Sequence, residues 1–329
     1  MRLSRFIFIM VFAIIFFVCT TSTNAMIIDQ ITKSELDKMS RIGVLSLLGN
    51  KIELNHVGML IFNNKLSYQD VDWQIDQFVE ELVKKDISDN TEYQCIDLEF
   101  SKENLSEREI KKIYDSKSGL PEVGLDYRDI EEYLKNIAST HNIDTLILIV
   151  RRTTEEPDTS VAINGYSLRT KERIPLLKEP PQLFIALNIQ VIDLTTMELL
   201  SSYIAGESKE TEKGSVKKEF GELSTEELKY LEDNLKDILK EKIPLWLLDI
   251  RLTLDYSNGV NKNEAAILAK ENLPRHLYNC KFASPSDDGD TWSIEIEWCS
   301  TDPFDEKAKE LPTIIIDKRT GEFSWVYKK

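Results

Sequence analysis

Short apolar runs that alternate with amphipathic stretches are the feature that most limits how this chain can fold. Residues 42–48 (IGVLSLL) and 144–150 (DTLILIV) are mostly apolar and too short for buried helices, so they predict strands covered on both faces. In 71–83 and 127–141 the apolar residues recur at helical spacing. This alternation predicts a sheet with helices packed against it.

The middle of the chain adds further elements of the same unit. Residues 93–100 (YQCIDLEF) predict a strand, and 183–193 with 199–206 predict a hairpin. Residues 151–182 include several prolines and predict an irregular loop with a short strand near 166–169.

A long helix is expected to close this unit. Ser224 and Glu227 have the spacing of a capping box, and Pro244 is expected to break or kink the helix. We therefore predict an α/β domain over residues 26–254, with a mixed sheet and flanking helices.

The stretch DYSNGVN at 255–261 predicts a domain boundary. A helical pattern follows over 262–273, and then four strand-like segments separated by turn residues. We predict a second, α+β domain over 255–329, built from one helix on a four-stranded antiparallel sheet.

The amino-terminal end has the pattern of a signal peptide. Arg2 and Arg5 precede an uncharged apolar run at 6–18, which is shorter than the ~20 residues that a membrane-spanning helix needs. Small residues before Ala25 predict cleavage there, giving a periplasmic or secreted protein. Contact with a membrane is expected only through an uncleaved leader, which is the alternative interpretation.

The charge balance limits the partners. The chain has 57 acidic and 41 basic residues, a formal net charge of −16. Such a chain is repelled by phosphate backbones and anionic lipids, so nucleic-acid binding is not expected.

Cysteine usage points to one disulfide. Cys280 and Cys299 flank a turn-rich segment and would lie nearly opposite one another in a hairpin, within reach of a bridge in an oxidising compartment. Cys95 lies in a strand-like run and is expected to be a buried small hydrophobe.

Sequence motifs for catalysis, metal binding or phosphate binding are not found. The chain contains no H-E-x-x-H, C-x-x-C or G-x-S-x-G motif, and its three histidines are far apart in sequence. His56 is a weak candidate for a polar site, against the simpler interpretation of a strand-end residue. No catalytic residue, metal site or cofactor is predicted.

Four aromatic residues form a candidate interaction surface. Trp292, Trp298 and Trp325 fall on predicted strands of the second domain, two of them on neighbouring strands, and Tyr166 lies in the predicted loop. Tryptophans are more often found in a core, so the alternative is that these residues are buried.

The first domain resembles a group of envelope α/β modules. The resemblance is carried by IGVLSLLG, YQCIDLEF, DTLILIV and the pair LFIALNIQVIDLTTMELLSS. The group includes the amino-terminal domain of TolB and curli-secretion lipoproteins, and it implies an assembly or docking role without catalysis. Unlike the lipoproteins, this chain has no good lipobox before Cys19.

The second domain resembles cystatin-like or nuclear-transport-factor-like cone modules of immunity proteins. NEAAILAKENL, DTWSIEIEW and TIIIDKRTGEF carry this resemblance, which implies binding to another protein. The sequence thus predicts a non-catalytic binding or assembly factor whose partner is an envelope protein. An inhibitor or immunity protein is the first alternative, and an uncharacterised hydrolase is the second.

Overall fold

A large mixed sheet with helices on both faces and a smaller antiparallel sheet with one helix make up the described structure, which confirms the predicted fold class. The computed structural model describes residues 26–27, 31–58, 63–98, 105, 107–115, 118–155, 162–174, 177–178, 180–212, 214–217, 220–253, 260–271, 277–301, 311–319 and 322–326. The predicted signal peptide lies outside these residues.

The strands, in chain order, are β1 (Met26–Ile27), β2 (Arg41–Leu47), β3 (Lys51–Val57), β4 (Lys65–Asp70), β5 (Gln94–Ile96), β6 (Thr145–Arg151), β7 (Thr153–Glu155), β8 (Ala162–Ile174), β9 (Leu177–Lys178), β10 (Gln182–Asp193), β11 (Glu198–Glu210), β12 (Leu277–Phe282), β13 (Ser286–Asp287), β14 (Thr291–Thr301), β15 (Thr313–Asp317) and β16 (Phe323–Val326). The helices are α1 (Lys33–Leu36), α2 (Ile75–Asn90), α3 (Glu107–Ile113), α4 (Glu131–His141), α5 (Thr225–Asp249) and α6 (Lys262–Glu271), with a 3₁₀ turn at Tyr127–Ile130.

The centre of the large sheet is the parallel pair β2 and β6, which are the two apolar runs of the sequence. Nearly all of their residues are buried because helices cover both faces. Helices α2 and α5 pack on one face and α3 and α4 on the other, so each face has its own apolar core. Two covered faces explain why these strands lack polar alternation.

The large sheet forks along strand β10. One edge of β10 pairs with β11 over its whole length. The other edge pairs with β8 through Gln182–Ala186 and then with β6 through Leu187–Asp193. Beyond β8 the sheet continues through β3 to the edge strand β4.

Three expectations about the first domain were wrong. Helix α2 starts at Ile75 instead of residue 71, because Gln74 adopts a left-handed φ of 50°. Of the break or kink expected at Pro244, the break is wrong, because helix α5 continues to Asp249. The carbonyl of Lys240, which loses its partner, belongs to an exposed residue that water can reach. Most of the predicted loop 151–182 is strand, since β8 spans Ala162–Ile174.

The C-terminal sheet has the predicted composition. Strands β12, β14, β15 and β16 pair antiparallel in that order, and β13 pairs with β14. Helix α6 packs on β14 and β15 through Ala265, Leu268 and Ala269, which meet Ile294 and Ile314 in a small core.

Candidate functional site

The last strand of the C-terminal sheet exposes aromatic rings. Phe323 is 40% exposed and Trp325 is 42% exposed. Their ring centroids lie 5.7 Å apart at a tilt of 52°, so the two rings form one surface. We call this pair the aromatic strip. Exposed aromatic rings of this kind can serve as contact points for another molecule.

The aromatic strip lies on the same face of the sheet as the small core. In the antiparallel register Ile314 is opposite Trp325 and Ile316 is opposite Phe323, and directly opposite residues share a face. Both isoleucines are fully buried. The core-facing surface therefore extends onto β16, where its covering is incomplete.

The other predicted surface residues lie elsewhere. Trp292 is partly buried beside the small core, where its indole Nε1 donates to the carbonyl of Val260 at 2.7 Å and Lys318 Nζ lies 4.4 Å from its ring centroid. Tyr166 was wrongly assigned to a surface: it is 1% exposed and its hydroxyl donates to the carbonyl of Gly49 at 2.7 Å. The side chain of Trp298 lies outside the described residues.

The two cysteines of the predicted disulfide lie on neighbouring strands. Cys280 lies on β12 and Cys299 on β14, two strands that pair antiparallel. The pairs Tyr278–Ser300 and Lys281–Trp298 bracket both cysteines, with an irregularity between them. Cys280 is partly buried against the small core, and the side chain of Cys299 lies outside the described residues. The bridge stays a prediction. Cys95 is a free, half-buried thiol, and burial raises its pKa.

His56 is held by contacts that fit a structural role. Its Nδ1 lies 2.9 Å from the hydroxyl of Thr170, and its ring lies 5.9 Å from that of Phe220. Thr170 is buried on the neighbouring strand β8. The small cavity nearby, lined in part by Thr170 and Phe220, is too narrow for more than about one water.

A buried charged cluster occupies the fork of the large sheet. Glu53 is 0% exposed and Arg151 is 3% exposed, and Arg151 Nη2 lies 4.0 Å from Glu53 Oε2. Asn55 Nδ2 donates to Glu53 at 2.7 Å, and Asn164 Nδ2 donates to it at 3.1 Å. Arg151 in turn donates to the carbonyls of Pro121 and Asn164. Burial lowers the pKa of Arg151, and the carboxylate of Glu53 opposes that shift.

This cluster belongs to a wider polar layer. The strands near the fork bury polar side chains between apolar ones, and Ser167 Oγ has no hydrogen-bond partner among the described residues. The layer consists of Glu53, Asn55, Ser167, Arg169, Asn188, Gln190 and Ser202. The sequence did not predict this polar layer, because β8 has polar residues on both of its faces and so lacks the apolar–polar alternation that marks a strand.

A charged groove of about 290 Å³ lies between α3, the 3₁₀ turn and α4. Its basic and acidic side chains pair with one another, as in the 2.7 Å ion pair of Lys112 and Asp129. In the part of the chain that the structure describes, no three His, Cys, Asp or Glu side chains are arranged to hold a metal ion. Over the same residues, no helix combines the length and apolarity that crossing a bilayer requires.

Comparisons with known proteins add little. No family model matches the chain, and no curated protein matches it significantly. Two crystal forms of the PelC dodecamer from Paraburkholderia phytofirmans are similar in structure. One is 6% identical and covers 69% of this chain and 97% of that chain at a TM-score of 0.29. The other is 6% identical and covers 68% and 96% at a TM-score of 0.27.

A DUF330 protein from Xanthomonas campestris is also similar in structure. It is 8% identical and covers 64% of this chain and 85% of that chain, with a TM-score of 0.31. All three TM-scores are too low to support an argument about function.

Proposed function

We propose that the chain is an exported, non-catalytic protein-binding factor of the bacterial envelope, and that the aromatic strip contacts its partner. One observation carries the binding part of this proposal: the core-facing side of the C-terminal sheet extends beyond its helix and exposes Phe323 and Trp325. Export is supported by the leader-like pattern of residues 1–25.

Burial on binding would remove an energetic cost of the free protein. Large aromatic side chains bury about 150–250 Å² each, and aromatic residues are enriched among the side chains that dominate binding energies. Phe323 and Trp325 keep about 40% of their surface in water, while their strand neighbours Ile314 and Ile316 are fully buried. A partner that covers both rings would complete the small core.

Strand β16 supplies a matched control. Val326 is 51% exposed, but it lies on the opposite face of β16 from Trp325, one residue away. A Val326→Ala variant therefore removes exposed apolar surface without touching the aromatic strip.

The test is capture of a partner by the purified mature protein. Wild type, Trp325→Ala and Val326→Ala proteins are incubated with envelope extracts, and the captured proteins are identified and rebound in purified form. We expect a specific protein to bind wild type and Val326→Ala, and binding to Trp325→Ala to be at least tenfold weaker. Equal capture by all three variants would rule out the aromatic strip as the contact.

The same experiment separates the alternatives. Several structural envelope proteins on the bait support an assembly factor. A single hydrolase or toxin bound in equal stoichiometry and inhibited by the complex would instead establish the inhibitor alternative.

The compartment has its own measurement. Cell fractionation with mass spectrometry of the mature amino terminus is expected to show a chain starting after Ala25 in the periplasm or medium. A full-length chain in the cytosol would contradict export.

A further inference from the structure

The aromatic strip is partly exposed and one strand wide, so one more helix beside α6 would be wide enough to cover it. Neighbouring strands are about 4.8 Å apart and packed helices are about 8–10 Å apart, so one helix covers about two strands. Helix α6 lies on β14 and β15, the two strands before β16. A second helix beside α6 would therefore lie over β16 and its aromatic rings.

We propose that the aromatic strip docks an amphipathic helix of a partner protein, with its apolar side on Phe323 and Trp325 and a basic polar side. This inference rests on the proposed function and names the kind of segment that binds. Phe323 and Trp325 are two residues apart on β16, so both rings point to the face of the sheet that carries α6 and not along the strand edge. A segment that contacts the rings must therefore lie on that face.

Charge favours a basic partner over a second copy of this chain. The chain has a net charge of −16, so two copies repel one another, whereas a positively charged segment is attracted. Glu322, next to the strip, is exposed, but Arg319 in the preceding turn is exposed too and offsets its charge, so the attraction comes from the net charge of the whole chain. Burial of the two aromatic side chains and the basic charge of the helix would both favour binding, as in other sites that bind amphipathic helices.

Three synthetic peptides test the helix. The first is an 18-residue amphipathic sequence of Leu, Ala and Lys with an apolar stripe at helical spacing. The second is the same sequence except that two central residues are replaced by Pro, which prevents a helix. The third replaces every Lys with Glu. Binding to the mature protein is measured by the fluorescence anisotropy of a labelled peptide, and helix formation by circular dichroism.

We expect the first peptide to bind and gain helicity, and the Pro and Glu peptides to bind at least tenfold more weakly. Against the Phe323→Ala, Trp325→Ala double variant the first peptide is expected to lose at least tenfold in affinity, but against Val326→Ala it is expected to bind as to wild type. Phe323 is 40% and Trp325 is 42% exposed, so most of each side chain is buried and the double variant is expected to melt at a lower temperature than wild type. Its circular dichroism spectrum at the assay temperature verifies that it is still folded.

Several results would overturn the inference. Equal binding of the Pro peptide would mean that an extended segment docks, and equal binding of the Glu peptide would exclude charge selection. A dimer seen by sedimentation and abolished by Trp325→Ala would identify a second copy as the occupant. Trp325-dependent binding to neutral phosphatidylcholine vesicles, with no peptide binding, would identify a membrane surface. If none of the peptides binds but the envelope partner is still captured through Trp325, the helix inference fails while the proposed function stands.

Discussion

The buried pair of Glu53 and Arg151 predicts a strong coupling in a double-mutant cycle. Both side chains are almost completely buried, and Arg151 Nη2 lies 4.0 Å from Glu53 Oε2. At an effective dielectric constant of about 20, two unit charges at that distance attract by about 4 kcal/mol. Arg151→Met removes this attraction. The buried carboxylate then keeps neutral hydrogen-bond donors, which are the amides of Asn55 and Asn164 and the hydroxyl of Tyr68.

We therefore expect Arg151→Met to lower the free energy of unfolding by about 3–5 kcal/mol, as for other buried pairs that lose one partner. Glu53→Gln should also destabilise the fold, because it leaves the guanidinium of Arg151 buried without a counter-charge. The double variant should cost at least about 2 kcal/mol less than the sum of the single variants.

The assay is urea denaturation followed by circular dichroism, with the slope compared among variants to verify that they unfold in the same way. Lys85→Met is the control, because Lys85 makes an exposed ion pair with Asp89 and its loss should not measurably change stability. If the Glu53 and Arg151 effects add to within about 0.5 kcal/mol, the argument that the charges stabilise one another at the fork is refuted.

Three further predictions follow from particular contacts. Gly165→Ala should destabilise the fold more than Gly119→Ala, and equal melting temperatures of the two variants would contradict this. Both glycines have positive φ, which alone costs an alanine about 1–2 kcal/mol, but a Cβ at Gly165 would lie 2.6 Å from Arg151 Nε, while a Cβ at Gly119 would have nothing within 4 Å. A Cys280–Cys299 bridge predicts that reduction destabilises the protein by about 3 kcal/mol and that the unfolded mature chain titrates one thiol, that of Cys95, while three titrated thiols would exclude the bridge. Burial raises the pKa of Asp76 above 3.8 although Ser46, Leu48 and Gly49 donate to its carboxylate, so the folded protein binds more protons and its stability falls as the pH rises from about 4 through the folded pKa. Burial raises the pKa of Glu80 and Asp86 as well, so in urea titrations against pH Asp76→Asn should weaken this dependence without abolishing it, and an unchanged pH profile would refute the role of Asp76.

The local periodicity of the sequence determined most of the secondary structure. The apolar runs became β2 and β6, two of the strand-like segments of the C-terminal unit became β14 and β15, and the capping box of Ser224 and Glu227 starts α5. These features are readable because burial of a strand or helix face imposes a spacing of two or 3.6 residues on nearby positions.

The tertiary structure alone decided the fork, strand β8 and the exposure of the aromatic strip. Strand β8 buries Ser167 and Arg169 on one face and Thr170 on the other, so the apolar–polar alternation that would mark a strand is absent. Likewise, Trp292 and Trp325 both lie in strand-like segments of the sequence, yet Trp292 packs against the small core and Trp325 is 42% exposed. Which strands become neighbours and how far one helix reaches across them depend on contacts distant in sequence, and no local spacing records those contacts.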